Sequence, residues 1–136
     1  MMNYQRLTGI LCLLVAIGLV SGRIQIQAGE GKSQIDPQSK ISFNLGQLNN
    51  EGLYGPPGGL RALDYEFCFP ADPDFEAQVK AIDPTIVIFP GSKGRVGCTQ
   101  REKLCIGNTH QSEFKAVLLR LASLPYVQQI KQCFFE

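Results

Sequence analysis

The chain has 136 residues, of which 44% are hydrophobic and 18% are charged. Its 13 Lys and Arg residues nearly balance its 12 Asp and Glu residues, and the formal net charge is +1. Proteins that bind nucleic acids normally carry a clear excess of Lys and Arg on one surface. The composition therefore argues against a nucleic acid partner.

An apolar run at residues 7–20 follows a short polar start that contains Arg6. A membrane-spanning helix needs about 20 apolar residues, whereas the apolar core of a signal peptide needs roughly 7–15. The run therefore predicts a cleavable export signal at residues 1–22, with cleavage after Gly22 or, alternatively, after Ala28. The expected membrane contact is limited to this precursor segment. An uncleaved signal anchor is the competing interpretation.

The cysteines fit an exported protein. Cleavage removes Cys12, one of the five cysteines, and an even number in a small exported domain indicates two disulfides. The remaining cysteines are Cys68, Cys98, Cys105 and Cys133. A metal site is disfavoured, because no Cys-x-x-Cys or Cys/His pair has ligand spacing and His110 is the only histidine. We expect neither a metal nor a cofactor.

Residues 23–59 have the composition of a linker, rich in Gln, Gly, Asn, Ser and Pro. Such a stretch buries too little apolar surface to offset the entropy of ordering it, which predicts a flexible tether. The alternating segment at residues 41–45 is the exception, because its pattern suits a short strand added to a sheet edge.

A compact domain is predicted at residues 60–136. Apolar alternation at residues 63–69 indicates a strand with an aromatic core face. Asp72 and Pro73 suit the N-cap and first position of an amphipathic helix, which is expected to end at Asp83.

The next elements are a second strand, a loop and a third strand. The β-branched run at residues 85–89 is typical of a strand, and the Gly-rich loop at residues 90–97 is interpreted as a flexible hairpin tip. Residues 103–107 predict a third strand, with Leu104 and Ile106 facing inward.

A helix and a final strand complete the domain. Asn108 and Gln111 resemble a capping box that opens a helix with an apolar stripe through Leu121. Residues 126–135 suit either a helix or an irregular strand, and we favour a strand. The resulting βαββαβ order predicts a ferredoxin-like α+β sandwich, with both helices on one face of a four-stranded antiparallel sheet in the order 4-1-3-2. The other face would be open.

The predicted strand phases place three cysteines, Cys68, Cys105 and Cys133, on the open face. Because neighbouring strands are antiparallel, Cys68 should lie near Cys98 at the start of the third strand. We therefore expect Cys68–Cys98 and Cys105–Cys133 bridges. The second is less favoured, because residues two strands apart are about 10 Å apart and a disulfide needs Cα atoms within about 7 Å.

No catalytic set is expected. His110 could act as a base for a Cys105 nucleophile, but a histidine at the start of a helix is more often an ordinary surface residue. A disulfide at Cys105 would also remove the thiolate that such catalysis needs. Asp64 and Glu66 share one strand face and could act as acid and base, although a solvated face explains them equally. The loop at residues 91–97 lacks the phosphate-binding Walker pattern.

A binding role has more support, because charges of opposite sign gather in different places. The candidate binding residues around the hairpin are Lys93, Arg95, Arg101 and Lys103. The acidic group around the first strand and helix comprises Asp64, Glu66, Asp72, Asp74, Glu76 and Asp83. Phe134 and Phe135 add an apolar tip that is either buried or presented to a partner.

The stretches at residues 64–70, 82–85, 89–92, 94–98 and 104–111 resemble small exported proteins of cyanobacterial type that have no assigned activity. The resemblance covers most of the predicted domain. It implies a periplasm or thylakoid lumen, and it transfers no catalytic residue.

Two functional hypotheses follow. The first is an exported interaction or accessory module without enzymatic activity, whose partner is another protein or a membrane complex. The second is a thiol-redox or metal-handling protein that uses the cysteines of the open face.

Overall fold

The computed structural model describes residues 35–135, which belong to one compact unit at residues 33–136. In chain order the elements are the 3-10 helices Pro37–Lys40 and Leu45–Gln47, strands β1 (Leu53–Tyr54), β2 (Arg61–Ala62) and β3 (Asp64–Pro70), helix α1 (Pro73–Ile82), strands β4 (Val87–Phe89) and β5 (Glu102–Asn108), helix α2 (Phe114–Ser123) and strand β6 (Lys131–Gln132). The predicted signal peptide and residues 23–34 of the predicted linker lie outside the described residues. Within the described range, neither helix has the length and apolar content needed to span a membrane.

The centre of the fold is a four-stranded antiparallel sheet in the order β4-β5-β3-β6. Strands β1 and β2 pair with each other in a separate two-stranded sheet, which the sequence did not predict. Two helices and a four-stranded antiparallel sheet confirm the predicted α+β class.

The core lies on the side of the sheet from which Tyr65, Phe67 and Phe69 project. All three side chains are fully buried, as the alternation of β3 predicted. They belong to one apolar cluster with residues from both helices, namely Val79 of α1 and Phe114, Val117, Leu118 and Leu121 of α2. Burying such side chains is the dominant favourable contribution to folding.

Helix α1 has the predicted bounds. Asp72 is its N-cap, the Asp72 side chain accepts a hydrogen bond from Asp74 N at 2.8 Å, and Pro73 occupies the first helical position. The Asp72 side chain thus satisfies one of the free backbone donors of the first turn, and Pro73 has no N–H to satisfy.

Helix α2 begins later than predicted. Its N-cap is Glu113, which has a φ of 56° and makes no side-chain capping bond. The predicted capping residues are used elsewhere: Asn108 Oδ1 accepts from His110 N at 2.8 Å, and Gln111 Nε2 donates to Asp83 Oδ1 at 3.0 Å. The capping-box prediction was wrong because these side chains join a tight turn and a buried network instead.

Strand β5 has the opposite phase from the one predicted. Cys105 pairs with Phe67 and is fully buried on the core side, whereas Leu104 pairs with Cys68 on the other side. Directly paired residues share a face of a sheet. Leu104 and Ile106 therefore lie on the second face, away from the helices.

The segment at residues 35–59 differs from the predicted flexible tether. Ile41 and Leu48 are buried in the core cluster, and Ile41 forms a parallel bridge to Ile130. Lys40 Nζ also donates to the carbonyls of Leu124 and Val127, at 3.1 and 2.7 Å. The few apolar residues of this segment, which its composition did not emphasise, thus pack it against the domain.

The predicted final strand is reduced to the two residues of β6.

A buried polar network lies where the end of α1 meets β5. Asp83 is fully buried and accepts hydrogen bonds from the Tyr65 hydroxyl and, through Oδ1, from Thr85 N at 2.9 Å. Burial, followed by the nearby Asp83 charge, raises the pKa of Tyr65, so its hydroxyl remains a donor. Gly107 leaves room for the pair, since a Cβ there would lie 2.5 Å from Asp83 Oδ2.

Replacing Gly107 with alanine should therefore destabilise the domain by about 2–3 kcal/mol, because the new methyl group overpacks a closed network. Urea unfolding followed by circular dichroism measures the change. Gly59→Ala, in an exposed turn, is the control. Equal unfolding midpoints for the two variants would contradict this role of Gly107.

Candidate functional site

The second face of the sheet is partly covered by residues 93–98, here called the covering loop. Val96 N donates to Glu66 Oε1 at 2.6 Å, and Gly94 packs so closely on Leu104 that a Cβ would lie 2.6 Å from Leu104 Cδ1. Glu66 and Leu104 are only 2% and 3% exposed. The predictions of an open face and of a flexible hairpin tip therefore do not hold here, because the loop lies back on the strands.

A disulfide between Cys68 and Cys98, with a Cα–Cα distance of 5.5 Å, confirms the first predicted bridge. Cys68 projects from the second face of β3, and Cys98 ends the covering loop. The bridge therefore joins the loop covalently to the strand beneath it.

Cys105 and Cys133 are free thiols, so the second predicted bridge is absent. Cys105 faces the core, whereas Cys133 lies on the second face, where its backbone N donates to the Asp64 carbonyl at 2.8 Å. The two thiols are on opposite sides of the sheet. The expected pairing failed because the phase assigned to β5 was wrong.

Both thiols are poor nucleophiles near neutral pH. Burial, with smaller effects of nearby carboxylates, raises the pKa of Cys105 to about 12. Burial and the adjacent Glu66 carboxylate raise the pKa of Cys133 to about 11. The thiolate is the reactive form, so these environments suppress the chemistry that a redox or nucleophilic role needs.

The other catalytic candidates do not form a catalytic site either. His110 is exposed, and its Nδ1 lies 3.2 Å from the carbonyl oxygen of Glu51, while Cys105 is sealed in the core. Asp64 accepts a hydrogen bond from Asn108 Nδ2 at 2.6 Å, and Glu66 is buried beneath the covering loop. Among residues 35–135, no group of three or more Cys, His, Asp and Glu side chains is placed to hold a metal ion.

The four candidate basic residues do not form one patch. Lys103 lies on the core side of β5 and forms a 3.0 Å ion pair with Glu76, which also pairs with Lys80 at 2.7 Å. Hydrogen bonds from these two lysines lower the pKa of Glu76. Lys93, Arg95 and Arg101 are exposed, and Arg95 belongs to the covering loop.

A surface that the sequence analysis did not assemble lies on both sides of β6. The Arg61 guanidinium lies 5.1 Å from the centre of the Tyr54 ring, and the Arg95 guanidinium lies 5.5 Å from the centre of the Phe134 ring. Phe134 and Phe135 are 55% and 69% exposed.

Strand β6 contacts both cation–aromatic pairs. Gln132 Nε2 donates to the Tyr54 hydroxyl at 3.4 Å on one side, and Lys131 Nζ donates to the Arg95 carbonyl at 3.5 Å on the other. We call this set the aromatic–cation surface: Tyr54, Arg61, Arg95, Lys131, Phe134 and Phe135. In the sequence, only Arg95 and the adjacent phenylalanines near the C-terminus indicated parts of it.

A second group of exposed apolar side chains belongs to β4. Val87 and Phe89 are 55% and 40% exposed, and they project from the second face at an edge of the sheet. Exposed edge strands can pair with other chains, although short ones do so weakly.

Comparisons with known proteins add no assignment, since no protein-family model, curated protein or solved structure matches the chain.

The covering loop should depend on its disulfide. We expect the double variant Cys68→Ser with Cys98→Ser to lose about 3–4 kcal/mol of unfolding free energy, given the sequence separation of 30 residues. Hydrogen exchange at the Val96 amide, which is bonded to Glu66, should accelerate more than exchange in β3. Cys133→Ser is the control, and unchanged Val96 protection in the double variant would show that the loop holds without the bridge.

The reactivity of Cys133 should follow its raised pKa. With a pKa of about 11, roughly one thiol in a thousand is ionised at pH 8, so alkylation by iodoacetamide should be slow and should rise tenfold per pH unit. Glu66→Gln removes a negative charge that disfavours the thiolate, so the pKa should fall and the rate at pH 8 should increase.

Peptide mapping by mass spectrometry separates Cys133 from Cys105 in this experiment. Asp74→Asn, which neutralises an exposed carboxylate on α1, is the control and should leave the rate unchanged. A wild-type rate profile that levels off near pH 9 would contradict the assigned environment of Cys133.

Proposed function

We propose that this domain is an exported interaction module without enzymatic activity, which binds another protein or a membrane complex through the aromatic–cation surface. The observation that carries the proposal is the exposure of Phe134 and Phe135, at 55% and 69%, beside stacked arginine and tyrosine side chains. Aromatic and arginine side chains are enriched in the energetically dominant parts of protein interfaces.

The chemistry of the rest of the described chain supports a binding role. Cys105 is buried, Cys133 has a raised pKa, and His110 lies apart from both on the surface. The alternative, a thiol-redox or metal-handling role, would need an accessible thiolate or a ligand cluster, and no observation among residues 35–135 favours it.

Export and a ferredoxin-like plan are further parts of the proposal. The Cys68–Cys98 disulfide supports export to a periplasm, thylakoid lumen or extracellular space, because disulfides persist in oxidising compartments. The plan is supported by a helix after each of the long strands β3 and β5, which pair at the centre of the sheet. The β1–β2 sheet and the two-residue β6 are departures from it.

Site-specific photo-crosslinking in the native compartment tests the interaction role. A photoreactive phenylalanine analogue at Phe135 should give a discrete covalent adduct, because that ring is presented to solvent beside the stacked pairs. The same analogue at Leu119, which is 36% exposed on α2, is the matched control. Absence of an adduct, or equal adducts from the two positions, would contradict binding through this surface.

A further inference from the structure

We propose that a slot beside β3 binds the backbone of an extended peptide, which completes the edge of the sheet where β6 leaves it. The slot has a volume of about 260 Å³ and is lined by Cys68, the end of the covering loop and the chain that precedes β6. It uses none of the residues of the aromatic–cation surface. The inference therefore goes beyond the proposed function and does not depend on it.

The ladder between β3 and β6 stops short of the slot. Its last pair along β3 is Glu66 with Lys131. Continued in the same register, the ladder would place Gln129 opposite Cys68, two residues further along each chain. That pair does not form, and both residues line the slot. The slot therefore lies where the next hydrogen-bonded pair of the ladder would be.

The backbone of Cys68 faces this part of the sheet edge. Successive residues of a strand direct their N–H and carbonyl groups to opposite edges. Leu63 O accepts from Thr109 N at 3.0 Å and Ala71 N donates to Arg101 O at 2.9 Å, so the odd-numbered positions bond toward β5. Cys68 is even-numbered and points its N–H and carbonyl away from β5. Among residues 35–135 neither group has a hydrogen-bonding partner.

The chain that precedes β6 adds further amide groups to the slot. Gln129 is half-buried, and it forms no hydrogen bond with any other described residue. The Gln128 side chain donates only to the Pro125 carbonyl, at 3.3 Å. A glutamine amide both donates and accepts, as a peptide group does. An inserted peptide backbone would thus meet complementary groups from Cys68 and from the glutamines.

Other classes of ligand fit the slot less well. Its lining includes no Lys or Arg to hold an anion, and its single carboxylate, Glu102, already accepts from Thr99 N at 2.8 Å. One carboxylate is too few for a calcium or magnesium ion. Pockets for drug-sized molecules measure about 300–1,000 Å³, so this slot suits about one or two residues of an extended chain. Peptides that extend a sheet edge bind chiefly through main-chain hydrogen bonds.

Amide hydrogen exchange in the full chain, measured by NMR, tests the geometry first. The Cys68 amide should exchange at least about tenfold faster than those of Phe67 and Phe69, which point toward β5. Equal protection of the three amides would overturn the proposal, because the Cys68 amide would then already have a partner, such as a second copy of the chain.

A blocked threonine–valine–threonine peptide is the binding probe, since β-branched residues favour an extended backbone. Its control is the same peptide with every backbone nitrogen methylated, which removes the main-chain donors and keeps the side chains. As millimolar peptide is added, only the unmethylated form should shift the Cys68 amide resonance to saturation and slow its exchange.

Variants locate the binding. Gln128→Ala combined with Gln129→Ala should weaken it about tenfold, the equivalent of two neutral hydrogen bonds of modest net strength. Gln38→Ala combined with Gln47→Ala removes two exposed glutamines elsewhere and should leave the affinity unchanged. Thermal unfolding confirms that both double variants fold.

The outcomes separate this inference from the proposed function. Absence of a saturable shift at Cys68, equal binding of the methylated peptide, or equal weakening by the two double variants would overturn the slot as a peptide site. A saturable shift at Cys68 without a crosslink at Phe135 would leave the slot standing and remove the proposed function. The reverse result would remove the slot alone.

Discussion

The register between β3 and β5 is the constraint on which the rest of the structure depends. Pairing of Phe67 with Cys105 turns that thiol into the core, and pairing of Cys68 with Leu104 places both on the second face. A shift of one residue would exchange the two faces of β5. The register thus decides which cysteine is sealed in the core and which stands beneath the covering loop to meet Cys98.

The sequence was most informative where one periodic pattern clearly dominated. The aromatic alternation of β3 and the Asp72-Pro73 start of α1 each admitted one interpretation, and the structure agrees. In β5 both phases are apolar or small, so periodicity could not distinguish Leu104 and Ile106 from Cys105 and Gly107. The capping box predicted from Asn108 and Gln111 was wrong for another reason. Their side chains take part in tertiary hydrogen bonds that local spacing does not reveal.

The candidate site was harder to predict because neighbours in sequence are not neighbours on the surface. Arg95 and Lys103 are close along the chain, but the covering loop carries Arg95 over the second face while Lys103 reaches Glu76 on the core side. Conversely, Tyr54 and Gln132 lie far apart in sequence and meet beside β6. The clustering of basic residues along the sequence therefore suggested a single basic hairpin, but in the fold these residues lie on different faces of the sheet.

The disulfide and the aromatic–cation surface are physically connected through the covering loop. Cys98 fixes the end of the loop to β3, Val96 fixes its middle to Glu66, and the residue between Gly94 and Val96 is the arginine that lies over Phe134. The position of that guanidinium is thus determined by contacts outside the surface itself. The closed Cys68–Cys98 bridge therefore also restricts where the loop can carry Arg95. The same covalent bond that closes the second face therefore organises the surface beside β6.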